Sequence, residues 1–179
     1  KPCSEYRCKS LGKACSIVNE GTDNVLCVNK LPNDATSPRI VADLEKMKEY
    51  QIQEEKNEGF TITSKIPPFT PVKLAIKTDE PAQCKFATDP KTEYKDMEFD
   101  FGSQLFDFKH ETTFALPSEL TSQQALTLTN GGKFTLYVRC TDANNNANAR
   151  NYNINFQIQE GPDLTPPKIL STSINSGTF

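Results

Sequence analysis

The strictest alternation of apolar and polar side chains in the chain lies between residues 132 and 159. Every second residue from Phe134 to Cys140 is apolar, and a second run alternates in the same way from Tyr152 to Ile158. A repeat of two residues is typical of a β-strand with one buried and one solvated face. The residues between the two runs are rich in Asn, which favours turns. The sequence therefore predicts an antiparallel hairpin, over which the other strands complete a sandwich.

Shorter alternating runs precede this hairpin. They predict a strand that starts at Phe60, strands over residues 72–78 and 82–86 with a turn at Asp79-Glu80-Pro81 between them, and a short helical turn within residues 44–53 that continues into a strand. Three further short strands are expected over residues 98–101, 105–108 and 112–116. Short strands without a long helix indicate an all-β Greek-key sandwich.

The six cysteines divide into four near the start of the chain and two far apart in the predicted sandwich. Residues 1–30 contain too few apolar side chains for a core, so disulfides would have to stabilise this small module. The spacing contains no Cys-x-x-Cys pair, which argues against zinc and for two disulfides in an oxidising, extracellular environment. The pairing within the module stays open. The four cysteines concerned are Cys3, Cys8, Cys15 and Cys27.

Two proline-containing segments share a pattern and bracket the predicted sandwich. Asp34, Thr36, Pro38 and Ile40 align with Asp163, Thr165, Pro167 and Ile169 at one offset of 129 residues, a domain-sized interval. We expect a Cys-rich module over 1–30, a linker over 31–37, the sandwich over 38–160, and a linker with a terminal strand over 161–179.

Residues 128–142 resemble the F strand and following loop of fibronectin type III and related immunoglobulin-like modules. One difference is that Phe134 stands where the family has a tyrosine. With residues 72–78 as strand B and 82–86 as strand C, the resemblance implies an immunoglobulin-like sandwich with a disulfide between Cys84 and Cys140. Together with the Cys-rich module and the two proline-containing segments, the stretches Thr78-Asp79-Glu80-Pro81-Ala82 and Tyr137-Val138-Arg139-Cys140-Thr141-Asp142 also resemble modules of large prokaryotic cell-surface proteins, archaeal ones especially. This resemblance implies adhesion or cell-envelope architecture.

Charge and hydropathy narrow the classes of partner. A net charge of −3, with no cluster of basic residues, argues against nucleic-acid binding. No apolar run reaches the roughly 18–20 residues that span a bilayer, so direct membrane insertion is not expected. Any partner would be another copy of the chain or a neighbouring repeat.

Catalytic and metal-binding residues are sparse. His110, the single histidine, is flanked by Lys109 and Glu111, and we expect it in a solvated stretch rather than in a catalytic site. Asp142, Asn144 and Asn146 alternate like the first ligands of a calcium loop, but the later Gly and Glu of such a loop are missing. The expectation is a protein that is not an enzyme and needs no cofactor, with calcium as the open alternative.

The segment after the second proline-containing segment predicts one more strand. Its alternating positions have no local sequence left to pair with, and a lone strand is not stable in water. We expect strand addition to another copy, with the first strand of a further repeat and folding back on its own sandwich as alternatives. The strand would contain Ile169, Leu170, Thr172 and Ile174.

These expectations together favour a non-enzymatic protein of the cell surface, a module or subunit of a filament, surface layer or adhesin assembled head-to-tail through β-strands. The alternative is an adhesion module that binds a carbohydrate or a protein through the polar loop 142–150.

Overall fold

A computed structural model of the chain describes residues 3–68, 70–114 and 132–160. These residues are mostly β-structure, as the alternation predicts. The elements, in chain order, are α1 (Glu5–Ser10), β1 (Cys15–Val18), β2 (Leu26–Asn29), β3 (Ile40–Ala42), β4 (Ile52–Glu55), β5 (Gly59–Ile62), β6 (Val72–Ala87), a 3₁₀ turn (Tyr94–Asp96), β7 (Phe99–Asp100), β8 (Asp107–Phe114), β9 (Lys133–Asp142) and β10 (Tyr152–Gln157). No helix in these three ranges is long and apolar enough to cross a membrane.

The N-terminal module consists of α1 and the antiparallel hairpin β1–β2. A disulfide between Cys8 and Cys27 joins the helix to the hairpin. Cys3 and Cys15 are unbonded, so the expectation of a second disulfide in this module is wrong for the structure. The register explains why the hairpin itself cannot supply one, because Cys15 lies opposite Asn29. Cys27 instead forms its disulfide with Cys8 of the helix α1.

The long strand β6 corrects the predicted turn at residues 79–81. The strand continues through these residues, and its pairing with β8 shifts register between Lys77 and Ala82, so that residues 78–81 face Phe108 alone. Pro81 has no N–H for a regular ladder, which places it at such a bulge. Acidic and proline residues that signal a turn therefore mark a bulge here.

The bulge divides the pairing partners of β6. Before it, β6 pairs with β3 and β8, and after it with β7 and β9 and, at Ala82, once more with β8, all of them antiparallel. The predicted hairpin β9–β10 is confirmed, with Phe134 opposite Phe156 and Val138 opposite Tyr152. On its other side β10 pairs in parallel with β5, which is followed outward by β4. Residues 107–108 and 112–114, which belong to two of the predicted short strands, lie in one strand, β8, and residues 115 and 116 are outside the described residues.

The inner faces of these strands form one apolar core. The predicted inward residues Leu136, Val138 and Ile154 are fully buried in it. Burial of each such side chain stabilises the fold by roughly 1.5–3 kcal/mol. The alternation in the sequence therefore identifies the core face of the hairpin correctly.

Turns replace the helical turn predicted within residues 44–53. The segment lies along the edge of β6, where the Tyr50 hydroxyl accepts a hydrogen bond from Lys73 N at 3.1 Å and Met47 Sδ accepts one from Ala75 N at 3.3 Å. Backbone donors that β3 is too short to reach are satisfied in this way. The contacts also cover part of a strand edge that would otherwise be open to pairing.

His110 is buried, which corrects the expectation of a solvated residue. Its side chain is 1% exposed, and neither ring nitrogen has a hydrogen-bond partner among the described residues. The register pairs it with Ile76 of the core, whereas its neighbours in sequence take the opposite face. Burial lowers the pKa of His110, because the protonated ring loses solvation.

Candidate functional site

Residues 34–40, which we call the junction, are held against the loop between β9 and β10. Asn146 Nδ2 donates a hydrogen bond to the Asp34 carbonyl oxygen at 3.0 Å. Asn148 Nδ2 donates to the Pro38 carbonyl oxygen at 2.7 Å and to Ser37 Oγ at 3.1 Å. We call the side chains of Asn146 and Asn148 the clamp. The predicted linker is thus docked on the eight-stranded sheet that β3 to β10 form.

The junction continues from the clamp directly into the sheet. Arg39 N donates to Asp79 Oδ1 at 2.8 Å, and Asp79 N donates to the Arg39 carbonyl oxygen at 3.3 Å. Ile40 then lies opposite Thr78 as the first pair between β3 and β6. The chain is therefore fixed by hydrogen bonds at intervals from Asp34 to the start of β3.

Asp142 orders the loop that carries the clamp. Its Oδ1 accepts hydrogen bonds from Asn144 N at 2.8 Å and Asn146 N at 2.7 Å, and its Oδ2 accepts one from Asn146 Nδ2 at 2.9 Å. Asn145 takes a left-handed backbone conformation with φ of 68°, which asparagine tolerates. Asn148 Oδ1 accepts the Cys140 N–H at 2.8 Å, so the loop is tied back to β9.

Three carboxylates meet where the junction, the bulge of β6 and this loop come together. One oxygen from each of Asp34, Glu80 and Asp142 lies within 4.8 Å of the other two. We call these three residues the acidic cluster. Asp142 is buried, and Asp34 and Glu80 are half-buried. No hydrogen bond to the Glu80 carboxylate occurs within the described residues.

This arrangement shifts the pKa of the Glu80 carboxyl group. Burial and, next, the charge of Asp142 raise its pKa to about 7, with smaller contributions from Asp79 and Asp34. The pKa of Asp34 is lowered, because its carboxylate accepts hydrogen bonds from the Thr36 hydroxyl at 2.6 Å and from Thr36 N at 3.0 Å. At neutral pH Asp34 is therefore ionised, and Glu80 is close to the midpoint of its titration.

Like charges at this spacing repel each other. Two chemical events relieve the repulsion: protonation of Glu80, or binding of a hard cation by the three carboxylates. Calcium takes six to eight oxygen ligands in flexible geometry, so carboxylates from three separate segments suit it. The acidic cluster is therefore the group of described residues that could hold a metal ion.

The sequence identified only one of these three residues. Asp142 was a candidate calcium ligand, but the loop residues predicted with it serve other purposes. Asn146 uses its amide to hold the junction and Asp142, and Asn144 bonds Asp142 through its backbone. Asp34 and Glu80 were missed as partners of Asp142, although the repeated Asp of the junction and the acidic pair before Pro81 were visible signals.

A second contact docks the N-terminal module on the eight-stranded sheet. Asn19, in a left-handed conformation with φ of 58°, donates from Nδ2 to the Phe106 carbonyl oxygen and accepts the Phe106 N–H, both at 2.8 Å. Asn24 Nδ2 donates to Asp107 Oδ2 at 3.0 Å. Between the module and the eight-stranded sheet lies a cleft of about 280 Å³, lined by β2, the β6 bulge and Asp142. The acidic cluster thus borders this cleft.

The two cysteines of the eight-stranded sheet lie on the strands that lead to this site. Cys84 and Cys140 form a disulfide and are a directly opposed pair of β6 and β9, as the resemblance implied. Their bond fixes the strand that leads into the clamp loop to the strand that carries Glu80. The predicted assembly strand, with Ile169, Leu170, Thr172 and Ile174, lies outside the described residues.

Comparison of the chain with protein-family models, with curated proteins and with solved structures finds no match.

Proposed function

We propose that this chain is a non-enzymatic extracellular structural protein, an immunoglobulin-like module or subunit of a cell-surface filament, surface layer or adhesin. Modules are joined head-to-tail through β-strands, and the partner is a further copy or a neighbouring repeat. The observation that supports the proposal is what the side chains of the polar loop 142–150 bind. Its asparagines are engaged in holding a segment of chain that enters the sandwich.

The strand pairing supports the immunoglobulin-like assignment. In such sandwiches strands A, B and E share one sheet, and C, F and G share the other. Before its bulge, β6 pairs with β3 and β8, which suits B with A and E. After the bulge it pairs with β9, which in turn pairs with β10, which suits C, F and G. The single strand β6 takes the places of both B and C, and its bulge stands where such sandwiches usually have the connection between B and C.

The disulfides support an extracellular location. Bonds between Cys8 and Cys27 and between Cys84 and Cys140 persist in oxidising compartments and are rare in the cytosol. A cell-surface module also benefits from cross-links that survive outside the cell.

The alternative function, binding of a carbohydrate or protein through loop 142–150, needs polar groups that are free to meet a ligand. Asn148 donates its amide N–H groups to Pro38 and Ser37 of the junction, and Asn146 donates its own to Asp34 and Asp142. This use of side chains favours the structural role over the binding role.

Immunogold labelling of intact source cells, with an antibody raised against the purified chain, tests the proposal. We expect label on the surface of unbroken cells, arranged on filaments or a lattice. Label that appears only after the cells are lysed would contradict it.

A glycan array separates the two functions. The structural role predicts no specific signal at micromolar protein. A specific signal that is lost in an Asn144→Ala variant of the loop would favour the adhesion module.

A further inference from the structure

The second proline-containing segment, residues 163–169, repeats the residues that the clamp holds. The junction reads Asp-Ala-Thr-Ser-Pro-Arg-Ile and the second segment reads Asp-Leu-Thr-Pro-Pro-Lys-Ile. From the sequence alone this match could be a property of linkers in general. The structure of the junction gives each shared residue a specific contact.

The shared Asp and Thr form one local unit. Asp34 Oδ1 accepts hydrogen bonds from both the backbone N–H and the hydroxyl of Thr36. This unit turns the Asp34 carbonyl oxygen to Asn146 Nδ2 at 3.0 Å. Asp163 and Thr165 have the same spacing and can form the same unit.

The shared Pro and Ile are the buried residues of the junction. Pro38 is buried, and its carbonyl oxygen accepts the shortest hydrogen bond of the clamp, 2.7 Å from Asn148 Nδ2. Ile40 is 6% exposed and begins β3 opposite Thr78. Pro167 and Ile169 therefore repeat the residues that anchor the junction in the fold.

Of the three positions that differ, two make no side-chain hydrogen bond in the junction. Ala35 is exposed, and no hydrogen bond of its side chain is possible. Arg39 contacts Asp79 through its backbone N–H and carbonyl only, which a lysine reproduces. The single side-chain contact that the second segment cannot make is that of Ser37 Oγ with Asn148, because position 166 is proline.

We propose that residues 163–169 are a second junction, and that the site which holds them is the clamp of another copy of this fold. Each copy has one clamp, which in the structure is filled by residues 34–40 of the same chain. Residues 163–169 therefore enter the clamp of a second copy by displacing that copy's own residues 34–40, and Ile169 would begin there the strand that Ile40 begins here. The inference rests on the proposed head-to-tail assembly and names the contact through which it occurs.

A junction exchange in the full chain tests whether the second sequence fits the clamp. The variant Ala35→Leu, Ser37→Pro, Arg39→Lys gives the first junction the sequence of the second. We expect its melting temperature to stay within about 4 °C of the parent, since one hydrogen bond is lost. Asn148→Ala should then lower the melting temperature of the exchanged chain by at least half as much as it lowers that of the parent. Loss of this sensitivity to Asn148→Ala would overturn the proposal.

A peptide test measures the contact between molecules. A fluorescent peptide of residues 161–174 is titrated with the full chain whose own junction is weakened by Thr36→Ala and Pro38→Ala. We expect binding at least about ten-fold tighter than to the same variant with Asn148→Ala added, whereas Asn33→Ala, an exposed asparagine outside the clamp, changes nothing. Equal binding by all variants, or no binding by any, would overturn the proposal.

These outcomes separate the inference from the proposed function. A peptide that does not bind leaves the surface location to be decided by immunogold labelling. A chain found inside the cell removes the proposed function, whatever the peptide does.

Discussion

Asn148 joins Pro38 to Cys140 through one side chain. Its Nδ2 donates to the Pro38 carbonyl oxygen at 2.7 Å, and its Oδ1 accepts the Cys140 N–H at 2.8 Å. Both halves of one amide thus connect the incoming junction to the strand that carries the disulfide. The strength of this connection is the first property to measure.

We expect Asn148→Ala to destabilise the chain by about 2 kcal/mol, because three hydrogen bonds of about 1 kcal/mol are lost and water replaces part of them. In a chain of this size the melting temperature should fall by about 4–8 °C in a thermal scan. Asn33→Ala, an exposed asparagine of the same linker, is the control and should stay within about 1 °C. Equal melting temperatures for the two variants would mean that the junction is not held by the clamp.

The disulfide between Cys84 and Cys140 should be a major source of stability. It joins residues 56 apart in the sequence, and the chain-entropy model gives a stabilisation of roughly 4 kcal/mol for a loop of that length. Replacing both cysteines with alanine should lower the free energy of unfolding in urea by at least that amount, since both side chains are also buried. A loss below about 1 kcal/mol would show that the bond adds little to the folded chain.

The N-terminal module should contain two reactive thiols. Cys3 and Cys15 are unbonded and partly exposed, whereas the other four cysteines form disulfides. Alkylation without reduction should therefore add two groups by intact-mass analysis, and alkylation after reduction should add six. If no group is added without reduction, Cys3 and Cys15 are bonded to each other, as in a module held by two disulfides.

Glu80 should make stability fall as the pH rises. Its pKa in the fold is about 7 and its ordinary value is 4.5, so the folded chain binds more protons than the unfolded chain between these values. The contribution of Glu80 is fully present below pH 4.5 and is lost as the pH rises through about 7. In a chelating buffer at pH 8, Glu80→Gln should melt a few degrees above the parent, and at pH 4 the two should melt together.

Calcium should reverse this order. At a concentration ten times the dissociation constant, a ligand that binds only the folded chain adds about 1.4 kcal/mol, so the parent should gain about 3–6 °C. Glu80→Gln should gain much less, because one of three carboxylates is gone, and Glu98→Gln, an exposed control, should gain as much as the parent. A parent that does not respond to calcium would leave the acidic cluster as a proton-binding site alone.

The parts of this fold that sequence could predict are those set by neighbours along the chain. The alternation from Phe134 to Cys140 and from Tyr152 to Ile158 predicts both the hairpin and its buried face. This is possible because the two-residue repeat of a strand is set by neighbouring residues in the sequence. His110 was misplaced because its charged neighbours lie on the opposite face of β8, and the alternation around it is short.

The parts that could not be predicted depend on which distant segments meet. The residues Asp79-Glu80-Pro81 are typical of a turn and of a bulge alike. They form a bulge here because β6 continues through them and pairs with different strands before and after. Asp34, Glu80 and Asp142 become a cluster through this bulge and through the clamp. Neither contact is encoded in any one stretch of sequence.

Head-to-tail assembly is the central claim, and a deletion tests it most directly. A head-to-tail contact that does not close into a ring builds a filament. The full chain and a chain without residues 166–179 should be concentrated side by side and viewed by negative-stain electron microscopy. We expect filaments from the full chain only, and a folded monomer from the shortened chain, since its clamp and core are intact. Normal filaments from the shortened chain would contradict the account.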